Sequence, residues 1–307
     1  MDIVFGPVLS RRFGISLGVD LSPKGKQCNF NCVYCELQAQ KTQDSQSDVA
    51  SIQDILNAIE QALYKNCKID VLTFTANGEP TLYPHLEELI IESKKILKPY
   101  VSIKTLILSN GSKFGECKNA LKHFDIVKFS LDSISPAIFK RIDKPSKNLD
   151  INIIQHEIKD FARDYKGELV AEILIVKGIN DDIESNVASA NFLREINIKR
   201  LDISSIDRPS SHRVFPVSNA KLYEIAEVFS GLPVCVVTRG NDKMSLDRQY
   251  VNREEILKIL ARRPLSMLDC EILWTTQSMN ILEMLLKEGT VIQKNLAGTM
   301  FYYINNE

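Results

Sequence analysis

Cys28-Asn29-Phe30-Asn31-Cys32-Val33-Tyr34-Cys35 packs three of the chain's seven cysteines into eight residues, with the spacing CxxxCxxC. Clustered thiols at short spacing are metal ligands before they are anything else. A structural zinc site usually wants a fourth Cys or His close by, and the first histidine in the chain is His85. A cubane of four irons also takes four ligands, normally thiolates. Three clustered thiolates hold three irons and leave the fourth open to an exogenous molecule, which suits an electron donor that must touch what it reduces. Gly25 before the loop, and Asn29 and Asn31 within it, allow tight wrapping and amide hydrogen bonds, and Tyr34 offers a flat face beside the last cysteine. The other cysteines, Cys67, Cys117, Cys235 and Cys270, are scattered and read as buried small residues.

Outward from this loop the chain alternates between the two hydrophobic periods. Ile15 to Leu21 precedes the loop as a strand. Ser51 to Lys65 carries Ile52, Ile55, Leu56, Ile59 and Leu63 at helical spacing, with Ser51 and Asp54 as its capping box. Strands are expected at Ile69 to Phe74, Val101 to Leu108, Asp125 to Leu131, Leu169 to Val176, Lys199 to Ser204 and Val234 to Val237. Helices are expected at Pro84 to Lys98, Phe114 to His123, Asn148 to Lys166 (closed by Gly167), Asp182 to Glu195 and Ser218 to Ser230. Repeated β-α units with short connections imply an α/β fold on a parallel sheet. Periodicity leaves an open doubly wound sheet and a partial or full barrel both standing. Either way, the ligand site belongs at the C-terminal ends of the strands.

The pattern changes after about residue 240, where Gly240-Asn241-Asp242-Lys243 reads as a linker. Helices at Arg253 to Arg262, Leu268 to Trp274 and Ser278 to Lys287, then strands at Thr290 to Ile292 and Met300 to Ile304 around Gly298, describe a small winged-helix-like module. The expected domains are therefore 1–240 and 250–307. From residue 253 to the end there are six basic and seven acidic residues, a poor balance for a duplex reader; a lid or protein contact suits the module equally. Net charge is −1 and apolar content 44%, so nothing global points to nucleic acid or membrane. Met1-Asp2-Ile3-Val4-Phe5 lacks the basic start and apolar run of a signal peptide, and no apolar run approaches about 18 residues. A cytoplasmic protein with no membrane partner is expected.

The cysteine triplet with an aromatic before its last member resembles the signature of the radical S-adenosylmethionine (SAM) superfamily, and later motifs resemble it in the same order. Gly78-Glu79-Pro80 looks like that superfamily's Gly-Gly-Glu motif, with Asn77 in place of the first Gly; Asn is the commonest non-Gly residue at positive φ. Ser109-Asn110-Gly111 is similar to its Thr-Asn-Gly. Ser130-Leu131-Asp132 is similar to its polar strand-end pair, and Gly178-Ile179-Asn180-Asp181 ends the strand where family members contact adenine and ribose. Phe5-Gly6-Pro7-Val8-Leu9-Ser10-Arg11-Arg12-Phe13-Gly14 and Asp207-Arg208-Pro209 look like the subgroup related to tRNA wyosine-base (4-demethylwyosine) synthases. Those synthases carry a second cluster on extra N-terminal cysteines, and this chain has no cysteine before Cys28.

The resemblance implies a partial (β/α)6 TIM-like barrel, a [4Fe–4S] cluster on Cys28, Cys32 and Cys35, and SAM as second cofactor. It implies that Gly78 and Glu79 receive the SAM ammonium, that Asn110, Ser130, Asp132 and Asn180 hold its polar atoms, and that Tyr34 packs near adenine. It also implies a low-potential electron donor such as flavodoxin or ferredoxin. Plainer roles remain for some of these residues: Ser130 and Asp132, or Asn180 and Asp181, as helix caps, and Glu79 as part of a turn. The basic run Lys140, Arg141, Lys144 and Lys147, with Arg208 and Arg213, is either a solvated face or the rim of a site for a phosphate-rich substrate. The expected function is radical modification of an RNA base, in tRNA. The alternatives are an activase or other protein-modifying radical enzyme, and a metal-sensing winged-helix regulator.

Overall fold

The computed structural model describes residues 3–10, 12–65, 68–237, 248, 250–262, 264–296 and 299–305. The expectations for Arg11, Cys67, the linker at 240–243 and the turn at Gly298 lie outside the described residues. The chain divides into two compact units, 2–238 and 239–307.

The first unit is one eight-stranded sheet whose strands lie in sequence order. β1 (Val4–Ser10) and β2 (Gly14–Asp20) form an antiparallel hairpin. From β2 onward every neighbour is parallel: β3 (Val71–Thr75), β4 (Lys104–Ser109), β5 (Ile126–Ser130), β6 (Glu168–Ile175), β7 (Arg200–Ser205) and β8 (Val234–Val237). Helices α1 (Ile52–Lys65), α2 (Leu86–Leu97), α3 (Lys118–Lys122), α4 (Pro136–Ile142), α5 (Ile151–Asp164), α6 (Ile183–Arg194) and α7 (Asn219–Val228) fill the crossovers. The expected α/β fold with β-α repeats is the one observed.

Alternation along the strands builds two cores. Leu72, Phe74, Ile107, Val127, Phe129, Ala171, Ile173, Leu201 and Ile203 face the helices and pack with Ile55, Ile59, Leu89, Ile90, Ile158 and Leu193. Val71, Leu106, Ile126 and Val170 face the other way and pack together with Phe13 from the β1–β2 turn. Arg12, in the same turn, bonds Glu172 of β6 at 2.5 Å and Asp202 of β7 at 3.0 Å. In a flat sheet β2 and β7 would stand about 24 Å apart. The turn reaches both, so the sheet is curled into an open partial barrel, and this second apolar cluster plugs its lumen at the N-terminal end of the strands. Side chains start three of the helices: Asp150 caps α5, Asp182 caps α6 and Ser218 caps α7.

Several boundaries differ from the expected ones for local reasons. α3 is only five residues long, because the turns from Ser112 to Glu116 bury Phe114 against Phe129 and Phe161 before the helix starts. β4 starts at Lys104, and Val101 lies beyond the sheet, 95% exposed. α5 ends at Asp164, ahead of Gly167.

The second unit has helices α8 (Arg253–Arg262), α9 (Met267–Leu273) and α10 (Thr276–Lys287), and a three-stranded antiparallel sheet of β9 (Leu265–Ser266), β10 (Val291–Leu296) and β11 (Thr299–Ile304) in the order β10-β11-β9. Its own core includes Ile256, Leu260, Cys270, Trp274, Leu282, Leu285 and Tyr302. A full capping box, Ser266 with Asp269, starts α9. Among the described residues no helix is long and apolar enough to cross a membrane.

Candidate cluster and cofactor site

The cysteine loop is clamped on both flanks. On one side Gln27 forms a parallel bridge to Gly78: Gln27 N–H donates to Asn77 O at 2.8 Å and Glu79 N–H to Gln27 O at 3.0 Å. The approach is so close that a Cβ on Gly78 would lie 1.9 Å from Gln27 O, and Gly78 has φ +133°. Glycine alone fits there. The positive φ thus falls on Gly78 and not on Asn77, whose side chain donates to Asp20 Oδ2 at 2.8 Å and so joins the ends of β2 and β3. On the other side Asn31 N–H donates to Asp143 O at 3.0 Å, Val33 N–H to Ile142 O at 2.8 Å, and Ser146 N–H to Asn29 O at 2.8 Å. The cysteines are therefore held between the end of β3 and the segment after α4.

Cys28, Cys32 and Cys35 line one open pocket of about 220 Å³ together with Gly78, Glu79, Asn110 and Ser130, at the C-terminal ends of β3, β4 and β5. Among the described residues no three His, Cys, Asp or Glu side chains converge as ligands of a single metal ion. A cubane binds each thiolate at a different iron. Donors point at the sulfurs: Phe30 N–H lies 3.4 Å from Cys28 Sγ and Lys26 Nζ 3.6 Å from Cys35 Sγ, as iron–sulfur thiolates require. Burial, with Glu79 nearby, pushes the Cys28 thiol up to about 12, and burial likewise raises Cys32. Thiolates there need a compensating metal charge, so the residues fit a cluster.

Glu79 is buried at 1% exposure. Its Oε1 accepts from Thr81 N–H (3.0 Å), Thr81 Oγ1 (2.6 Å) and Ser109 Oγ (2.8 Å), and its Oε2 from Asn110 N–H (2.7 Å). Burial raises its pKa while these bonds oppose the rise. A buried carboxylate fixed by four donors, with lone-pair capacity left on Oε2, is a receptor for an ammonium. Asn110 also reaches back to the loop, donating to Asn29 Oδ1 at 2.8 Å.

Tyr34, Asp132 and Asn180 lie off the pocket. The Tyr34 ring packs with Val33, Ile142, Val176 and Ile206, and its hydroxyl donates to Asp132 Oδ2 at 2.5 Å. Asp132 Oδ1 accepts from Leu174 N–H at 2.7 Å, so it caps no helix; Ser135 precedes α4. Asn180 accepts from Val176 N–H at 2.7 Å and donates to Asp132 O and Leu174 O, while α6 is capped by Asp182. Asp143 Oδ1 accepts from Cys32 Sγ at 3.4 Å, and burial raises both the Asp143 and the Asp132 carboxyls.

Sequence reasoning missed the charges on the lumen face. Lys128 of β5 and Glu172 of β6 line the pocket and pair at 2.7 Å, and Arg12, Asp202 and Arg200 extend the network. The signal was available for four of them: Lys128, Glu172, Arg200 and Asp202 are charges at inward positions of otherwise apolar strands, while Arg12 lies in the β1–β2 turn. Lys26 was also missed, two residues before the first cysteine.

The radical SAM superfamily model matches residues 22–187, which contain the cysteine loop, Glu79, Asn110 and Asp132. A UPF0026 protein of Helicobacter pylori is 47% identical over 98% of this chain and 97% of its own length. A UPF0026 protein of Methanocaldococcus jannaschii is 31% identical over 99% and 97%. Among solved structures, a radical SAM methyltransferase from Sphaerobacter thermophilus is similar in fold, with TM-score 0.56 and 13% identity over 73% of this chain and 67% of that one. Together with the clamped cysteine loop and its pocket, these matches show that the chain belongs to the radical SAM superfamily, whose enzymes work with a [4Fe–4S] cluster and S-adenosylmethionine.

Proposed function

We propose that Cys28, Cys32 and Cys35 hold the cluster, that SAM fills the pocket between them and Glu79, and that the enzyme modifies an RNA base, in tRNA. Bound together, the two cofactors supply reductive cleavage of the sulfonium and a 5′-deoxyadenosyl radical that takes a hydrogen atom from the substrate. The observation that carries the cofactor reading is the single pocket shared by three sulfurs and the cation-receptive carboxylate of Glu79. Glu79 takes the SAM ammonium. Asn110 and Ser130 hold its polar atoms from the ends of β4 and β5, and Gly78 lets the cysteine loop approach. Tyr34, Asp132 and Asn180 act from behind: their bonds to one another and to Leu174 and Val176 fix the ends of β5 and β6 against the loop.

The RNA reading rests on where the basic run lies. Lys140, Arg141, Lys144 and Lys147 are exposed, and the carbonyls of Asp143 and Lys144 accept from Asn31 N–H in the cysteine loop. The cations therefore border the pocket's rim. A second segment joins them: Ser211 N–H bonds Cys35 O, with Arg213 exposed beside it. Phosphates would meet this rim while a base enters the pocket. The resemblance to tRNA wyosine-base synthases supports the same substrate class, without their second cluster. A flavodoxin or ferredoxin would deliver the electron.

The test is a mass-spectrometric comparison of bulk tRNA nucleosides from deletion and parent cells. One modified nucleoside should vanish or its precursor accumulate. An unchanged profile, alongside 5′-deoxyadenosine production by the purified enzyme, would remove the RNA reading and leave a protein substrate.

A further inference from the structure

Lys26 is only 9% exposed. Its ammonium has three N–H groups and three acceptors: Gln38 O at 3.1 Å, Asn31 Oδ1 at 3.5 Å and Cys35 Sγ at 3.6 Å. Two of these are a backbone carbonyl and a side-chain amide oxygen, and among the described residues no carboxylate pairs with it. The two nearest in sequence are engaged elsewhere: Asp20 accepts from Ser22 N–H and from the Asn77 side chain, and Glu36 pairs with Arg208. Lysines are almost never this buried without an anion. A buried ammonium with no carboxylate partner, held against a cysteine of a cluster loop, is a charge waiting for one of opposite sign.

We infer that Lys26 is the built-in counter-ion of the cluster and raises its reduction potential. The inference rests on the proposed cluster at these cysteines. A [4Fe–4S]2+ core on three thiolates carries net charge −1; one electron from a low-potential donor takes it to −2, with no bond made or broken. A fixed cation against a ligating sulfur stabilises the more negative state more, and both net charge and hydrogen bonds to sulfur set such potentials. The orientation matters too: Asn31 and Gln38, on the loop and just after it, hold the ammonium in place.

The experiment is an EPR-monitored redox titration, without SAM, of the anaerobically reconstituted full chain as wild type, Lys26→Met, Lys26→Gln and Lys26→Arg, with iron counted in each. The expected result is a lower potential in Lys26→Met and Lys26→Gln, by about tenfold in the reduction equilibrium or 59 mV for one electron, with Lys26→Arg close to wild type. Potentials that do not move overturn the inference; this includes the case in which Lys26 serves only the SAM carboxylate, since SAM is absent. If Lys26→Met alone fails to take up iron, Lys26→Gln decides by the same shift. Loss of iron in all three variants makes Lys26 a folding residue and also overturns it. A wild type that takes up no four-iron cluster refutes the proposed cofactor site instead, so the two failures are told apart.

Discussion

Replacing Gly78 by Ala tests the clamp between the cysteine loop and Glu79. The new Cβ would lie 1.9 Å from Gln27 O and 2.4 Å from Gln27 C, both backbone atoms that cannot rotate away. The φ of +133° is itself glycine territory, worth roughly 1–3 kcal/mol of strain for another residue. Relief requires Gln27 to move by more than an ångström, which breaks the bonds Gln27 N–H→Asn77 O and Glu79 N–H→Gln27 O, each worth about 1 kcal/mol. The total is roughly 3–5 kcal/mol, a large part of a domain's ordinary 5–15 kcal/mol. Urea denaturation followed by far-UV circular dichroism measures it, and iron uptake on reconstitution reports the loop. Gly25→Ala is the control: a Cβ there meets nothing within 4 Å, so the change should stay within about 0.5 kcal/mol. If Gly78→Ala matches wild type in both stability and iron content, the clamp described here is wrong.

Three further variants probe the charged and polar groups. Glu172→Gln leaves Lys128 and Arg12 with Asp202 alone and should cost about 3 kcal/mol near neutrality; a change below 1 kcal/mol would mean the network is solvated. Burial alone would raise the Glu172 pKa, but Lys128 and Arg12 bring it down to about 2, so this stabilisation is present above the unfolded value near 4.3 and fades as pH falls toward 2. The variant's stability should accordingly fall less steeply with acid over that window, as read from denaturation curves at several pH values. Glu79→Gln should weaken SAM binding to the cluster-loaded chain by about tenfold or more, the worth of one charge-assisted hydrogen bond; equal affinity by calorimetry would deny Glu79 its role. Tyr34→Phe removes the 2.5 Å bond to Asp132 and should destabilise by about 1–3 kcal/mol, measured by the same urea curves.

Much of the barrel was legible because each strand is an apolar run bounded by a helix cap or a turn, as Asp182 bounds α6 and Ser218 bounds α7. β1 was not, since Gly6-Pro7 interrupts it and its register with β2 shifts between Phe5 and Val8, which hides the alternation. β9 is two residues long and exists only through its pairing with β11. In the site, the motifs around the cysteines were readable because they recur at strand ends, and the fold brings Glu79, Asn110 and Ser130 to the sulfurs. Spacing alone does not show that Asn180 spends its amide on Val176, Leu174 and Asp132, or that Lys128 meets Glu172 across 44 positions of chain. Those partners are decided by strand register, which places Leu174 and Glu172 on β6 beside the end of β5.

The central claim is that this pocket builds a SAM-cleaving cluster site. It is tested most directly by reconstituting the chain with iron and sulfide without oxygen, reducing it with dithionite in the presence of SAM, and measuring 5′-deoxyadenosine and iron together. The account predicts about four irons per chain and 5′-deoxyadenosine with methionine, both lost in Cys35→Ala. A chain that binds one zinc, or that holds its irons yet yields no 5′-deoxyadenosine, would contradict it.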